Sequence, residues 1–162
     1  MVFTCVRLLS CKNTHYDSNR KKNSDSPVSQ AEVEQYTNFL FQHLEQYGDA
    51  KEDIAKALAY ALGQDNKPGG VILIAKEEAH IVGMTVVLNT LMGGFIPEHI
   101  LVYIATDQSK RGKGIGGKLI DFLKQDLTGS IALHVDFNNP AQHLYERKGF
   151  EKKYIEMRLN NK

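Results

Sequence analysis

The tightest constraint on the fold lies between residues 71 and 90. VILIAKE (71–77) and HIVGMTVVLNT (80–90) are runs rich in β-branched and apolar residues, separated only by Glu78 and Ala79. Strands joined by so short a link form a hairpin, because a parallel pair needs a crossover of a dozen or more residues. EHILVYIATD (98–107) reads as a further strand beyond the loop LMGGFIP. These neighbouring strands exclude the strict β-α-β-α alternation of a doubly wound sheet.

The flanking segments have different periods. Residues 2–10 alternate loosely and read as a first strand. Residues 11–28 (CKNTHYDSNRKKNSDSPV) are polar and basic, and read as a long mobile loop. Ser29 and Glu32 have the spacing of a capping box. Val33, Tyr36, Leu40, Leu44 and Tyr47 then fall at helical spacing, with Gly48 as the stop. A second helix starts at Asp49, carries Ile54, Leu58 and Leu62 on its apolar face, and ends at Gly63. DNKPGG (65–70) is a turn. Ile115, Leu119, Phe122 and Leu123 mark the buried face of a helix opened by a glycine-rich loop. IALHVDF (131–137) reads as a strand, and a short helix follows with Pro140 in its first turn, where the missing N–H costs nothing. Gly149 ends that helix, and FEKKYIEMRL (150–159) reads as a last strand. The order is β-α-α-β-β-β-α-β-α-β: an α/β chain with a mixed sheet, helices on its faces, and one domain over 1–162.

Composition narrows the class. The chain has 162 residues, enough for one substantial core. Its net charge of +1 supplies no bulk attraction to nucleic acid or a membrane surface. The apolar runs are too short to span a bilayer, and MVFTCVRLLS reads as a strand rather than a signal peptide. Two cysteines, Cys5 and Cys11, make no disulfide framework and no zinc spacing. Reduced thiols, a cytoplasmic location and no metal are the expectation. The basic run KNTHYDSNRKK reads as a solvated loop rather than an RNA contact.

The chemistry is concentrated in RGKGIGGKL, Arg111 to Leu119. Gly112, Gly114 and Gly117 spell G-x-G-x-x-G, and Asp136 stands about twenty residues on, as a dinucleotide fingerprint asks. Against that pattern, DQSKR separates the strand from the first glycine, and too little chain follows for the remaining strands. A P-loop needs Ser or Thr after the lysine, and Leu119 stands there. Arg111, Gly114 and Gly116 also spell R-x-x-G-x-G. Glycines that open a helix expose backbone N–H groups lacking an intrahelical partner, and Arg111, Lys113 and Lys118 add positive charge. The loop is an anion site on physical grounds.

A second motif separates the patterns. NNPAQHLYERKGF (138–150) carries Asn138, Ala141, Tyr145, Gly149 and Phe150 at the spacing N-x-x-A-x-x-x-Y-x-x-x-G-F. With R-x-x-G-x-G, it resembles the GNAT N-acetyltransferase superfamily over about residues 70–159. Thr106 and Asp107-Gln108 depart from the commoner approach to the loop.

The resemblance implies a GNAT-type fold with two parallel strands, 98–106 and 131–137, splayed to admit a cofactor arm. It implies acetyl-CoA, with its pyrophosphate on the loop Arg111, Gly112, Lys113, Gly114, Ile115, Gly116 and Gly117. Its pantetheine arm would lie along the backbone of Ile104, Ala105 and Thr106, with Asn138 a further contact. Tyr145 is the candidate acid for the departing thiolate, since a phenol and a thiol have comparable pKa values. Two residues are candidate bases. Glu98 has the offset of the base in the histone-acetylating branch. His134 resembles the glutamate site of the ribosomal-protein branch if one residue is deleted before Asn138. An amine needing no dedicated base is the third option. The acceptor is a primary amine of a small molecule or a peptide. Glu32, Glu34, Glu45, Asp49, Glu52 and Asp53 against Lys51 and Lys56 favour a cationic one. The alternative is a catalytically silent acyl-CoA-binding module. Family members often pair through their last strand, so the resemblance leaves a homodimer through residues 150–159 open.

Overall fold

The computed structural model of the protein describes residues 5–10 and 28–161. The loop expected over 11–28 lies outside the described residues except for Val28. The elements in chain order are β1 (Cys5–Ser10), α1 (Gln30–Leu44), α2 (Lys51–Ala61), β2 (Gly70–Glu77), β3 (His80–Asn89), β4 (His99–Thr106), α3 (Ile115–Asp126), β5 (Ile131–Leu133) and α4 (Gln142–Arg147).

Local chemistry sets the boundaries. The Ser29 hydroxyl accepts the Glu32 N–H at 3.2 Å, and the Glu32 carboxylate accepts the Ser29 N–H at 3.0 Å. This reciprocal cap starts α1. The helix stops at Leu44, before Tyr47. Glu45 adopts φ 55°, and a single tight turn runs from Glu45 to Tyr47.

The sheet has five strands in the order β1-β2-β3-β4-β5. β1 is parallel to β2, and β4 to β5, while β2, β3 and β4 form an antiparallel meander. Helices cover both faces. Tyr36, Leu40, Ile54 and Leu58 of α1 and α2 pack on Ile72, Ile74, Met84 and Val86. Ile115, Leu119 and Leu123 of α3 pack on Val71, Leu73 and Val87. Each such fully buried aliphatic side chain stabilises the fold by roughly 1.5–3 kcal/mol.

One irregularity positions the site. Val86 pairs with Tyr103 and Val87 with Leu101, so Val102 is an extra residue in β4. This bulge shifts the side-chain alternation. Leu101 and Ile104 pack toward α3, whereas Val102, Tyr103 and Ala105 pack toward α1 and α2. The parallel ladder between β4 and β5 runs only through His99–Ile131, Ile100–Ala132 and Leu101–Leu133. From Val102 to Thr106 the edge of β4 that faces β5 has no strand partner among the described residues.

Two strand expectations are corrected. β5 ends at Leu133, not at residue 137, because its ladder with β4 stops at the Leu101–Leu133 rung, where the bulge re-aims β4. Residues 150–159 form no strand among the described residues, although they alternate in character. Alternation specifies a strand only where a neighbour supplies backbone partners. Here the segment is tied by side chains instead, Lys152 to Glu146 at 2.8 Å and Glu156 to His134 at 3.6 Å. Tyr154, Ile155, Met157 and Leu159 are exposed.

Candidate active site

The site is built where β4 and β5 part. β4 runs up to Thr106, and a short connection leads to the glycine loop at the start of α3. Gly112 and Gly114 both have φ +77°, a left-handed conformation that a side chain would strain. A Cβ at either would meet nothing within 4 Å, so the loop presents bare backbone to open space. The first bond of the helix runs from the Lys118 N–H to the Gly114 carbonyl at 3.0 Å. Among the described residues, nothing accepts the N–H groups of Gly112, Lys113, Gly114, Ile115, Gly116 or Gly117. Together with the positive end of the α3 dipole, they form an anion cradle.

The same stretch brings in α4. A Cβ on Gly116 would lie 3.2 Å from Leu144 Cδ2, and one on Gly117 would lie 3.0 Å from Lys148 Cε. Glycine at both positions lets α4 settle against the first turn of α3. Lys148 then reaches Asp121 at 2.6 Å, and Lys124 reaches the Lys148 carbonyl at 3.1 Å. On the other side of α3, a Cβ on Gly83 of β3 would sit 2.6 Å from Ile115 Cγ2, so that glycine lets the helix start approach the sheet.

Tyr145 sits on α4, next to Leu144. Its ring is buried and meets Phe150 edge-on, with centroids 5.8 Å apart. Its hydroxyl makes no hydrogen bond to any described residue. Every fully buried side-chain nitrogen or oxygen among the described residues has a partner, so this oxygen must reach accessible space. Burial pushes the phenol pKa up to about 12. It therefore stays protonated at any working pH, and in the free protein it is a weaker acid than the phenol whose pKa is comparable to a thiol's.

The other expected residues are placed as follows. Ile104, Ala105 and Thr106 pair with β3 on one side, and on the other they border the gap. Asn138 is exposed, and its carbonyl accepts the Tyr47 hydroxyl at 3.3 Å. The neighbouring Asn139 side chain accepts the Ala141 N–H at 2.9 Å, closing the turn that leads into α4. His134 follows the end of β5, exposed, beside Glu156. Glu98 precedes β4, below the paired rungs. Its carboxylate accepts the Ser130 N–H at 2.7 Å and lies against Gly93 and Gly129. That bond, first among several, holds its pKa below the ordinary carboxylate value. Arg111 turns its guanidinium away from the loop, to the Glu45 carboxylate at 3.2 Å and the His43 carbonyl at 2.9 Å.

Sequence spacing did not reveal Tyr103. The β4 bulge turns it toward α1 and α2, where its hydroxyl donates to Asp49 at 2.6 Å. Burial and this bond raise its pKa. Asp49 is exposed, at the connection between the first two helices. No local pattern announces a bulge, so the pair is visible only in three dimensions.

Two parallel strands that part, with a helix N-terminus of free amides at their open end, make a cleft suited to an anionic ligand. Residues 68–152 match the family described as the acetyltransferase (GNAT) domain, and the chain belongs to that family. No curated protein matches the chain in sequence. Solved structures share the fold at low identity. The ribosomal-protein-S18-alanine N-acetyltransferase of Escherichia coli has a TM-score of 0.57 at 19% identity, covering 80% of this chain and 77% of that one. An aminoglycoside 6′-N-acetyltransferase of Acinetobacter haemolyticus has a TM-score of 0.58 at 16% identity, covering 85% and 97%. A second aminoglycoside N-acetyltransferase, in complex with CoA, has a TM-score of 0.61 at 15% identity, covering 82% and 90%. Among the described residues, no helix is long and apolar enough to cross a membrane.

Proposed function

We propose that the protein is an acetyl-CoA-dependent N-acetyltransferase acting on a primary amine of a small molecule or a peptide. The observation that carries this reading is the row of free amides from Gly112 to Gly117 at the open end of the β4–β5 gap. Acetyl-CoA supplies an acetyl group activated as a thioester. The amides, with Lys113 and Lys118 nearby, hold a pyrophosphate. The unpaired edge of Ile104, Ala105 and Thr106 bonds an amide-bearing arm as a neighbouring strand would. Asn138, exposed five residues beyond β5, is proposed as a further contact.

A molecule held by these contacts would extend along the open β4 edge beyond Leu101. The Tyr145 hydroxyl, protonated and without a competing partner, donates a proton to the thiolate as the thioester bond breaks. Glu98 takes the amine's proton through water, and His134 is the alternative base. Acidic groups at the connection of the first two helices, Asp49 first among them, favour a cationic acceptor.

The bound Glu98 carboxylate and the exposed His134 favour one second reading, a module that binds acyl-CoA without turning it over. A thermal-shift panel of acetyl-CoA, NAD and ATP, followed by an assay of amine-dependent thiol release, separates the cases. Saturating ligand at a hundred times its dissociation constant adds about 2.7 kcal/mol. Acetyl-CoA should raise the melting point, and a cationic amine should then release thiol. A shift with acetyl-CoA but no thiol release with any amine supports the silent module. A shift with NAD or ATP alone overturns both readings.

A further inference from the structure

The glycine loop is held by more than its own chain. Residues 107–111, which carry the backbone from β4 to the loop, are fastened to the end of α1. The Gln108 N–H donates to His43 Nδ1 at 3.4 Å. Arg111 donates to the His43 carbonyl at 2.9 Å and to the Glu45 carboxylate at 3.2 Å. The Gln108 side-chain amide donates to the same carboxylate. Of these contacts, only the one to the His43 ring uses a group that ordinarily titrates near neutrality.

The ring is poised. It is buried, with 8% of the side chain exposed, and tilts against Phe39 with centroids 4.5 Å apart. An Nδ1 that accepts an N–H carries no proton, so the neutral ring bears its proton on Nε2, which faces Asp107 at 3.9 Å. A second proton would set an N–H donor against the Gln108 N–H, and the bond would be lost. The charged groups acting on the ring are Asp107 and Arg111 from the connection and Glu45 from the end of α1. Asp107 and Glu45 favour the charged ring. Burial, the largest influence, and Arg111 oppose it, so the pKa lies below the ordinary histidine value.

We propose that His43 is a positioning residue for the glycine loop: its neutral ring latches residues 107–111 so that the amides of Gly112 to Gly117 are set for a phosphate-bearing ligand, and its protonation releases them. The ligand part rests on the acetyl-CoA reading, whereas the latch belongs to the free protein. The sign follows from linkage. A histidine whose folded pKa is lowered favours the native arrangement above its unfolded pKa, and that contribution is lost as pH falls through the folded pKa. Acid should therefore weaken ligand binding.

The test uses the full chain. NMR follows the His43 ring and the Gln108 amide against pH, with no ligand present. Calorimetry measures coenzyme A affinity at pH values of about 7.5 and 5.5 for the wild type and for His43→Asn. The asparagine oxygen takes the place of Nδ1 without titrating. The Gln108 amide should titrate with the His43 ring. Affinity should fall about three- to tenfold more in the wild type than in H43N, the shared part belonging to the phosphates of the ligand. A Gln108 amide indifferent to the ring overturns the latch from the wild type alone, even if the variant does not fold. Equal pH dependence of affinity in the two proteins overturns the role in ligand positioning. An amide that titrates while coenzyme A binds at neither pH supports the latch and overturns the acetyl-CoA reading.

Discussion

Leu101 of β4 and Leu133 of β5 are the last residues at which those strands pair, and Val102, the next residue of β4, is the bulge that parts them. A bulge adds local twist and re-aims the side chains that follow. Here it does both. It opens the edge from Val102 to Thr106 and turns Tyr103 toward the first two helices, so one backbone irregularity shapes both the open edge and the face packed on α1 and α2.

The Tyr145 hydroxyl has no hydrogen-bond partner among the described residues, so Tyr145→Phe should cost little stability. The ring contact with Phe150 persists in the variant. Turnover should fall by roughly 100-fold or more, the range expected for loss of a general acid, with acetyl-CoA affinity nearly unchanged. Steady-state kinetics and calorimetry on the same preparation check it. Undiminished turnover would remove Tyr145 from the mechanism.

Glu98 is tied to the Ser130 N–H, and glutamine can accept the same bond. If Glu98 is the base, Glu98→Gln lowers turnover without shifting the melting temperature, while Glu98→Ala lowers both. Its lowered pKa keeps it ionised down through the ordinary carboxylate range, so an acid limb of the rate profile that belongs to it must lie below that range. A fully active Glu98→Gln enzyme would leave Glu98 as a clasp between two loops and move the base to His134 or to water.

Gly114 stands at φ +77° with open space where a Cβ would go. Gly114→Ala therefore costs only backbone strain, about 1 kcal/mol. The added methyl projects into the space above the amide cradle, so acetyl-CoA affinity should fall by more than that strain implies, about tenfold or beyond. Urea unfolding measures the first quantity and calorimetry the second. Loss of stability with unchanged affinity would mean that the loop does not hold the ligand.

Three buried phenols make the fold sensitive to alkali. Tyr36 and Tyr145 are raised to about 12, and Tyr103 is raised as well. Burial is the first cause in each. The folded protein keeps protons that the unfolded chain releases at a pH of about 10, so this stabilisation is intact below that pH and is lost on the way up through the folded values. Unfolding free energies measured between pH values of about 9 and 12 should decline, and less steeply in Tyr145→Phe. A flat profile would show that the phenols are not shielded.

Several features were legible in the residues alone, because their signals are local. Two residues between β runs permit only a hairpin, and β2 and β3 form one. Ser29 and Glu32, three apart, specify a reciprocal cap. Glycines before an apolar helical face announce a helix N-terminus of bare amides, and with the Asn138 to Phe150 motif they were enough to indicate the family. Tertiary structure decided the rest. The Val102 bulge is a matter of register between β3 and β4, and no property of valine specifies it. Residues 150–159 carry strand alternation, yet a strand needs a neighbour, and β5 stops at Leu133. His43 looks like one more residue on the inner face of a helix until the chain brings Gln108, 65 residues away, to its ring. Spacing encodes what adjacent residues do to one another, whereas a buried ring acquires its partner, its tautomer and its pKa only from the groups that folding sets against it.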